Sequence, residues 1–357
     1  MISYRLITHT KTRTLAYISE MCRILGKSRL EKIKVKKKLE LFTLNNIDYI
    51  NQYYRKVGRA VGLILPNTRS AERYIQLAVN MRIINQSNNY LELAKRGKVI
   101  QRIINGMKKD NPFKLSWQEI FLYLKYLLLS DSIYFYTLLN LLPRYNSLVQ
   151  ISMNFRASVI SMIKELYQIT YEDILRNILL DIESWRHEKK YIESIVPPRL
   201  YWLYDLKLVE LYMKRGRLKY KLKETYKELI NGIKKLDVIN IDKFIENNYV
   251  SLFYKSYISE FSFSRSPLYF RELTENEKRK IIKPLIDREL KNADILPSSV
   301  RGIIFSIFAE NVSIHLLNKG IICEIKDFRD SIKKLAEYGE YYLYWDSSVN
   351  DGIIRKV

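Results

Sequence analysis

Residues 68–100 carry two hydrophobic patterns in succession, first with helical spacing and then with the alternation of a half-buried strand. A polar run, NQSNN, separates them and marks a turn. Thr68 or Ser70 can cap the helix, and Ala94 to Gly97 begins another. The segment is therefore predicted to form a helix, a hairpin and a second helix. The apolar positions that define this prediction are Ile75, Ala78, Met81, Ile83, Leu91 and Leu93.

The same order of patterns recurs in residues 197–224, PPRLYWLYDLKLVELYMKRGRLKYKLKE. Pro197 and Pro198 suit the start of a helix, because a first-turn residue needs no amide donor. The second hairpin is longer, with Arg215 and Arg217 flanking the glycine near its tip. Four leucines match the first helix and strand at a constant offset of 125, and two residues after the turn match at 129. The matching positions are Leu200, Leu203, Leu206, Leu208, Tyr220 and Leu222.

Helix, strand, turn, strand and helix with this apolar pattern resembles the C-terminal half of a winged-helix domain. In that family a recognition helix leads into an apolar strand and a hairpin wing, and a small residue opens the next helix. Ala94 and Gly97 fit the small positions of the first copy, whereas Lys223 and Tyr226 occupy them in the second. The resemblance implies a recognition helix in the DNA major groove and a wing on the adjacent backbone.

The rest of the chain is predicted to be mainly helical. Residues 111–195 open with the capping-box pattern Ser116-x-x-Glu119 and continue as apolar-spaced helices. Within them, residues 120–142 are apolar, but Lys125 and a Ser-Asp-Ser break make a membrane span unfavourable. We expect two buried helices there, the second capped by Ser130 or Asp131.

The C-terminal part is predicted to contain helices around 274–290, 298–317 and 327–338, followed by a hairpin. Its strands are 341–345 and 353–357, with the turn at Asp351-Gly352. The predicted fold class is mainly α with small β-hairpins: tandem winged-helix-like modules joined by a helical domain, and an α-rich C-terminal domain ending in a hairpin. The predicted domains are 1–110, 111–195, 196–235 (with its first helices within 150–195) and 236–357.

The net charge of +23 is concentrated in two blocks. Residues 1–110 hold 23 Lys and Arg against 7 Asp and Glu, and residues 196–235 hold 11 against 4. The segments 111–195 and 236–357 are balanced, at 9 against 9 and 18 against 18. Concentrated basicity indicates a polyanionic partner, with nucleic acid first and an acidic membrane second.

The first helix carries the candidates for reading bases. Their spacing of four, three and four residues puts them on one face, opposite the apolar positions. Arginine, glutamine and asparagine are the side chains that make bidentate contacts with guanine and adenine edges. Basic residues after the first hairpin are candidates for phosphate contacts. The base-reading candidates are Arg69, Arg73, Gln76 and Asn80, and the phosphate candidates of this copy are Lys95, Arg96 and Lys98.

The second copy offers a basic wing rather than a reading helix. Its helix face is expected to expose Arg199, Trp202 and Asp205, and Arg199 is a candidate for a phosphate contact. The aromatic and the acid suit a protein contact better than groove readout. A lysine-protected edge strand is the alternative interpretation of the wing. The wing candidates for phosphate binding are Lys214, Arg215, Arg217, Lys219, Lys221 and Lys223, of which the last four alternate on one side of a strand.

Catalytic patterns are weak in this sequence, and we expect no enzymatic activity, no cofactor and no metal site. Phosphate-binding glycine loops are absent, and the three histidines lie far apart. Glu324-x-Lys326 after an apolar strand resembles half of the PD-(D/E)xK nuclease signature, with Asp294 as the only tolerable partner. Cys22 and Cys323 are too few and too far apart for a disulfide framework, which favours a reducing cytoplasm.

These observations favour a cytoplasmic protein that binds duplex DNA without chemistry of its own, as a transcription- or replication-type regulator does. The alternative is a nucleic-acid-binding or scaffold subunit of a defence or restriction complex that acts with a partner effector. A protein partner or a homodimer is expected to use 111–195 or the C-terminal domain.

Overall fold

A computed structural model of the chain describes residues 11–54, 62–186, 188–264, 266–292, 302–348 and 351–357. The chain divides into two compact units, Met1–Ile241 and Asp242–Val357. Both are mainly helical, with small sheets of two or three short strands among the described residues. The predicted segments 1–110, 111–195 and 196–235 all lie in the first unit.

In the first unit, the described residues between 11 and 104 form eight elements, with a three-stranded sheet. The strand after the first helix pairs antiparallel with the second strand of the hairpin, which lies in the middle of that sheet. The elements are α1 (Ala16–Leu25), β1 (Leu30–Glu31), α2 (Lys32–Asn45), α3 (Ile47–Tyr53), α4 (Ser70–Asn80), β2 (Ile84–Ser87), β3 (Tyr90–Leu93) and α5 (Lys95–Ile104). We call residues 11–104 the first module.

The remainder of the first unit repeats this arrangement. In place of a strand before its second helix, a single antiparallel bridge joins Ser147 to Lys219, and the Tyr220 amide donates to the Asn146 carbonyl at 2.9 Å. The elements are α6 (Trp117–Leu141), α7 (Leu148–Thr170), α8 (Asp173–Glu183), α9 (Glu188–Asp205), β4 (Val209–Lys214), β5 (Arg217–Leu222) and α10 (Glu224–Gly232). We call residues 117–232 the second module.

The ends of α4 and α9 have the same backbone geometry. Arg82 and Lys207 both lie in the left-handed region, with φ of 55° and 58°. The next amide of each chain segment then reaches back five residues, Ile83 to the Ala78 carbonyl and Leu208 to the Leu203 carbonyl, both at 2.9 Å. This is the Schellman pattern of helix termination, and its recurrence supports the repeat found in the sequence.

The second unit contains a two-stranded parallel sheet and a three-stranded antiparallel one. Its hydrophobic core includes Phe270, Ile286, Phe308, Phe328 and Ile332. The elements are α11 (Ile241–Phe261), β6 (Leu268–Tyr269), α12 (Glu275–Asn292), β7 (Ile303–Ile304), α13 (Phe305–Asn318), β8 (Ile321–Ile322), α14 (Ile325–Glu337), β9 (Tyr341–Asp346) and β10 (Asp351–Lys356).

The described residues between 275 and 357 of the second unit follow the same order a third time, as far as the hairpin. The strand β7 precedes α13 and pairs antiparallel with β10, so the sheet order β7-β10-β9 corresponds to β1-β3-β2. Helix α14 corresponds to α4, since Ile332 and Leu335 are buried at an offset of 257 from Ile75 and Ala78. Gly339, with φ of 70°, holds the position of Arg82. We call these residues the third module.

Three predicted elements differ in detail. Helix α9 begins at Glu188, so Pro197 and Pro198 lie inside it rather than at its start. The second hairpin strand of the third module already contains Asp351 and Gly352, which were predicted to form the turn. The helix predicted from residue 298 begins at Phe305 in the described part of the chain.

The long apolar segment forms α6, which has a kink at Asp131 where a break between two helices was predicted. Its first turn has the predicted capping box of Ser116 and Glu119. The Asp131 carboxylate at this kink pairs with Arg199. Among the described residues, none of the helices is both long and apolar enough to span a membrane.

Candidate nucleic-acid interface

Helix α4 presents the polar face that its sequence predicts. Arg69, Arg73 and Gln76 are exposed and Asn80 is half-buried, while the opposite side of the helix packs into the core. The Gln76 Nε2 atom donates to the Asn80 Oδ1 atom at 2.8 Å, which fixes the two amides relative to each other. The face is therefore a row of hydrogen-bonding side chains.

The start of α4 lies in a positive electrostatic environment. The Lys36 ammonium of α2 pairs with the Glu72 carboxylate at 2.9 Å. This hydrogen bond, followed by the charges of Lys36, Lys32 and Arg69, lowers the pKa of Glu72. The acid of the first helical turn is thus matched by a lysine, and the remaining cations leave an excess of positive charge.

The β2–β3 hairpin of the first module is short and carries no charge at its tip. Its turn contains Asn88, whose φ of 52° lies in the left-handed region that asparagine tolerates better than most residues. The guanidinium of Arg29 lies over the ring of Tyr90, 4.9 Å from its centroid. The hairpin therefore offers amides and one aromatic ring rather than a row of cations.

Of the three basic residues that open α5, two are exposed and one is turned inward. Lys95 and Lys98 lie at the surface. Arg96 donates from Nη1 to the Met81 carbonyl at 2.8 Å and stacks over Tyr126, 5.0 Å from the ring centroid. Its guanidinium thus links two elements, because Met81 follows the end of α4 and Tyr126 belongs to α6. Arg96 is half-buried in this position, and its contact with phosphate stays a prediction.

The β4–β5 hairpin of the second module carries a dense group of cations. Its register pairs Lys214 with Arg217 and Tyr212 with Lys219 on the solvent-facing side, while Leu211 and Tyr220 pair on the buried side. The alternation predicted for Arg217, Lys219 and Lys221 is therefore present. Lys223 lies beyond the strand, where it takes the N-cap position of α10.

The turn of this hairpin has an unusual residue. Arg215 and Gly216 both have positive φ, 51° and 69°, as a two-residue hairpin turn of this hand requires. Asparagine, aspartate or glycine ordinarily occupies the first of these positions. An exposed arginine held there projects its charge from the tip at some cost in backbone energy.

A groove of about 450 Å³ lies along the hairpin. Four cationic side chains line it, and no carboxylate does. The Lys219 Nζ atom donates to the Asn146 Oδ1 atom at 2.8 Å, which holds that ammonium against the loop before α7. The lining residues are Asn146, Tyr212, Lys214, Arg215, Arg217 and Lys219. We call this feature the basic groove.

The basic groove includes two residues that the sequence does not single out. Tyr212 lies across from Lys219, and its position follows once the hairpin register is known. Asn146 is 73 residues from Lys219, so no local pattern predicts its approach. Lys221 lies across from Glu210 instead, and that pairing lowers the net charge at the base of the hairpin.

Arg199 lies in the interior of the second module, not at its surface. Its Nε and Nη2 atoms donate to the two carboxylate oxygens of Asp131 at 2.6 Å each, and Nη1 donates to the Ile195 carbonyl at 2.9 Å. Both partners of the ion pair are fully buried. The predicted phosphate contact of Arg199 is therefore wrong, because its side chain is buried and its charge is paired with the Asp131 carboxylate at the kink in α6.

The remaining part of the predicted exposed face of α9 is also buried. The Trp202 Nε1 atom donates to the Thr12 carbonyl at 3.1 Å. The Asp205 carboxylate accepts from the Leu15 amide at 2.7 Å and from the Tyr54 hydroxyl at 3.1 Å. Burial raises the pKa of Asp205 to about 7, although the hydrogen bonds from Leu15 and Tyr54 act in the opposite direction and lower it. The first module thus covers the helix that corresponds to its own α4.

The weak nuclease pattern has a structural explanation at Glu324. Its carboxylate accepts from the Val250 and Ser251 amides at 2.9 and 2.8 Å and from the Ser251 hydroxyl at 2.6 Å. Burial raises its pKa despite these donors. Asp294, the proposed partner, lies outside the described residues, as does His187. Within the described part of the chain, no cluster of three or more His, Cys, Asp or Glu is placed to hold a metal.

Comparisons of this chain with protein-family models, with curated proteins and with solved structures return no match.

Proposed function

We propose that this protein binds duplex DNA through two surfaces of its first unit, α4 and the basic groove, and carries out no chemistry on it. The observation that carries the proposal is the basic groove, in which four cations converge without a carboxylate. Helix, hairpin and helix follow one another in both basic blocks, in the order that winged-helix domains share. We infer that both modules belong to this type.

Helix α4 is the proposed reader of base edges. The exposed Arg73 and Gln76 have the donors and acceptors that pair bidentately with guanine and adenine in the major groove. The hydrogen bond from Gln76 to Asn80 reduces the conformational freedom that binding would otherwise remove. Lys32 of the neighbouring helix adds attraction for the phosphates beside the groove, while Lys36 offsets the charge of Glu72.

The basic groove is the proposed backbone site. Its cations flank Tyr212 and Asn146, whose polar atoms can share a phosphate with them. Contacts of this kind release counterions, so they strengthen binding to every sequence and weaken steeply with salt. The first module is thus proposed to read bases through α4. The second module is proposed to contact the DNA backbone through its hairpin alone, because its helix α9 is buried.

The first test measures binding of the full chain to a duplex of random sequence across a salt series. Lys214→Ala and Arg217→Ala should each weaken binding to all duplexes and flatten the logarithmic salt slope by about 1. Lys227→Ala is the matched control, because Lys227 lies in the same basic block but on α10, paired with Glu224. It should leave the slope unchanged.

Three results would overturn the proposal. The first is that the protein does not bind duplex DNA at low salt, and the second is that the groove variants leave the salt slope unchanged. The third is that the protein binds single strands more tightly than duplex. The last result, or binding only in the presence of a partner protein, would favour the subunit of a defence complex instead.

A further inference from the structure

The three modules differ in how their outer strands are protected. In the described sheets, β2, β4 and β9 are the edge strands at corresponding positions. The strand β2 is four residues long and polar, and β4 carries Glu210 and Lys214. The strand β9, Tyr-Tyr-Leu-Tyr-Trp-Asp, has no charge before its last residue and no proline. Charges and prolines are the usual means of keeping an edge strand from pairing with another chain.

The inner side of β9 is fixed by the core of its module. Tyr341 is buried, and Leu343 and Trp345 pack against the hydrophobic core. The Trp345 ring meets Phe305 edge-on, with centroids 5.3 Å apart. Gly352 on β10 allows this approach, since a Cβ there would lie 2.8 Å from the Trp345 ring. The edge is therefore an ordered six-residue strand.

The outer side of β9 is aromatic and open to solvent. Tyr342 and Tyr344 are 64% and 69% exposed, although their neighbours across the hairpin, Arg355 and Ile353, are half-buried. Large aromatic side chains on one face of an edge strand are typical of a contact surface. The surface lies in the charge-balanced part of the chain, where 18 cations match 18 acids over residues 236–357.

We propose that the protein forms a symmetric dimer in which β9 pairs antiparallel with β9 of a second copy. An antiparallel pair of identical strands is self-complementary, so it satisfies two-fold symmetry without a second surface. A register centred on Leu343 places Tyr342 opposite Tyr344 of the second copy, twice. Cross-strand aromatic pairs of this kind stabilise sheets. Electrostatic balance allows like copies to approach here, and gives this region no particular attraction for a polyanion.

The proposed dimer does not depend on the proposed DNA binding, although dimerisation would change the DNA site that is preferred. A dimer presents two copies of α4, so the preferred DNA site would be an inverted repeat. The experiment on the dimer is therefore made without nucleic acid, which separates its failure from failure of the proposed function.

Sedimentation equilibrium of the full chain over a range of concentrations tests the dimer. The wild type should sediment at twice its chain mass of 42.7 kDa. Tyr342→Lys and Tyr344→Lys should be monomeric with unchanged circular dichroism, because both side chains are exposed and lysine protects an edge. Tyr338→Lys is the control: Tyr338 is 65% exposed but lies outside β9, so this variant should remain dimeric.

A wild type that is monomeric at every concentration would overturn the dimer, as would Tyr342→Lys and Tyr344→Lys variants that still dimerise. A monomer that retains single-stranded DNA through these two tyrosines would also overturn it, and would assign the surface to unpaired bases, which stack on aromatic rings.

Discussion

Helices α4 and α9 occupy the same place in two copies of one arrangement, yet they face different surroundings. They end at corresponding residues with the same Schellman geometry, and each leads directly into a hairpin. One side of α4 is exposed to solvent, whereas Arg199, Trp202 and Asp205 of α9 are all buried. The contrast teaches that the topology of a module fixes where a helix lies, but not whether it is available to a ligand.

The difference arises from what packs on each helix. Residues of the first module, Thr12, Leu15 and Tyr54, bond to α9 and cover it. Asp131 of α6 supplies the counter-charge for its arginine. On α4, by contrast, Arg69, Arg73 and Gln76 are exposed, and Gln76 bonds to Asn80. Burial of α9 joins the two modules into one unit and leaves its hairpin as the part that can meet a ligand.

The largest effect should come from removing the buried arginine. Arg199→Ala leaves the Asp131 charge buried without its partner, and we expect the free energy of unfolding to fall by about 3–5 kcal/mol. Arg73→Ala, at the exposed face of α4, should change it by less than about 0.5 kcal/mol. Urea unfolding followed by circular dichroism measures both. If the two substitutions lowered the free energy of unfolding equally, the distinction between a buried α9 and an exposed α4 would be contradicted.

A double substitution separates the lost charge pair from lost packing. Asp131→Asn with Arg199→Met removes both charges and keeps most of the volume, so it should recover a large part of the stability that Arg199→Ala loses. If the double variant were no more stable than Arg199→Ala, burial of an unpaired charge would not be the cause.

A second effect should appear in the pH dependence of stability. The pKa of Asp205 is raised from 3.8 to about 7, so the folded chain holds a proton that the unfolded chain has released between these values. The contribution of Asp205 to the unfolding free energy therefore falls as pH rises through this window, by up to about 4 kcal/mol at ~1.4 kcal/mol per pKa unit.

Asp205→Asn isolates that contribution, because its amide is neutral at every pH. The wild-type unfolding free energy minus that of the variant should decline from about pH 4 to about pH 8 and then stay level. A difference that is flat, or that rises with pH, would contradict the burial of an ionisable Asp205 between the modules.

A smaller effect should come from the close approach of α5 to the end of α4. At Gly97 of α5 an added Cβ would lie 2.2 Å from the Ile83 carbonyl oxygen, so backbone must move. We expect Gly97→Ala to cost about 1–3 kcal/mol of unfolding free energy. Lys98→Ala, the exposed neighbour, should cost less than about 0.5 kcal/mol. A Gly97→Ala chain as stable as the Lys98→Ala chain would show that α5 does not approach the Ile83 carbonyl this closely.

The sequence predicts the fold better than the site. Periodicity and turn residues locate α4, α14 and the hairpins of the first two modules, because these depend on local spacing and local backbone preferences. The same periodicity makes α9 look exposed on one side. Its cover comes from residues about 190 positions earlier in the chain, and no local pattern contains that information.

The site shows the same limit on a smaller scale. The cations of the β4–β5 hairpin follow from alternation, whereas Asn146 joins them only through the fold. Arg96 and Lys98 look equivalent in sequence, but two residues of α5 separate their directions by about 200°, so the first lies over Tyr126 and the second is exposed. Charge density predicts the surface, and tertiary packing decides which of its members are available.

Selection of bound sequences from random duplex DNA, made in parallel with the wild type and with Arg73→Ala, tests the central claim most directly. The wild type should enrich one motif, and Arg73→Ala should lose about 1–3 kcal/mol of discrimination at a single base position within it while the rest of the motif remains. Failure of the wild type to enrich any motif, or an identical motif from Arg73→Ala, would contradict base reading by α4.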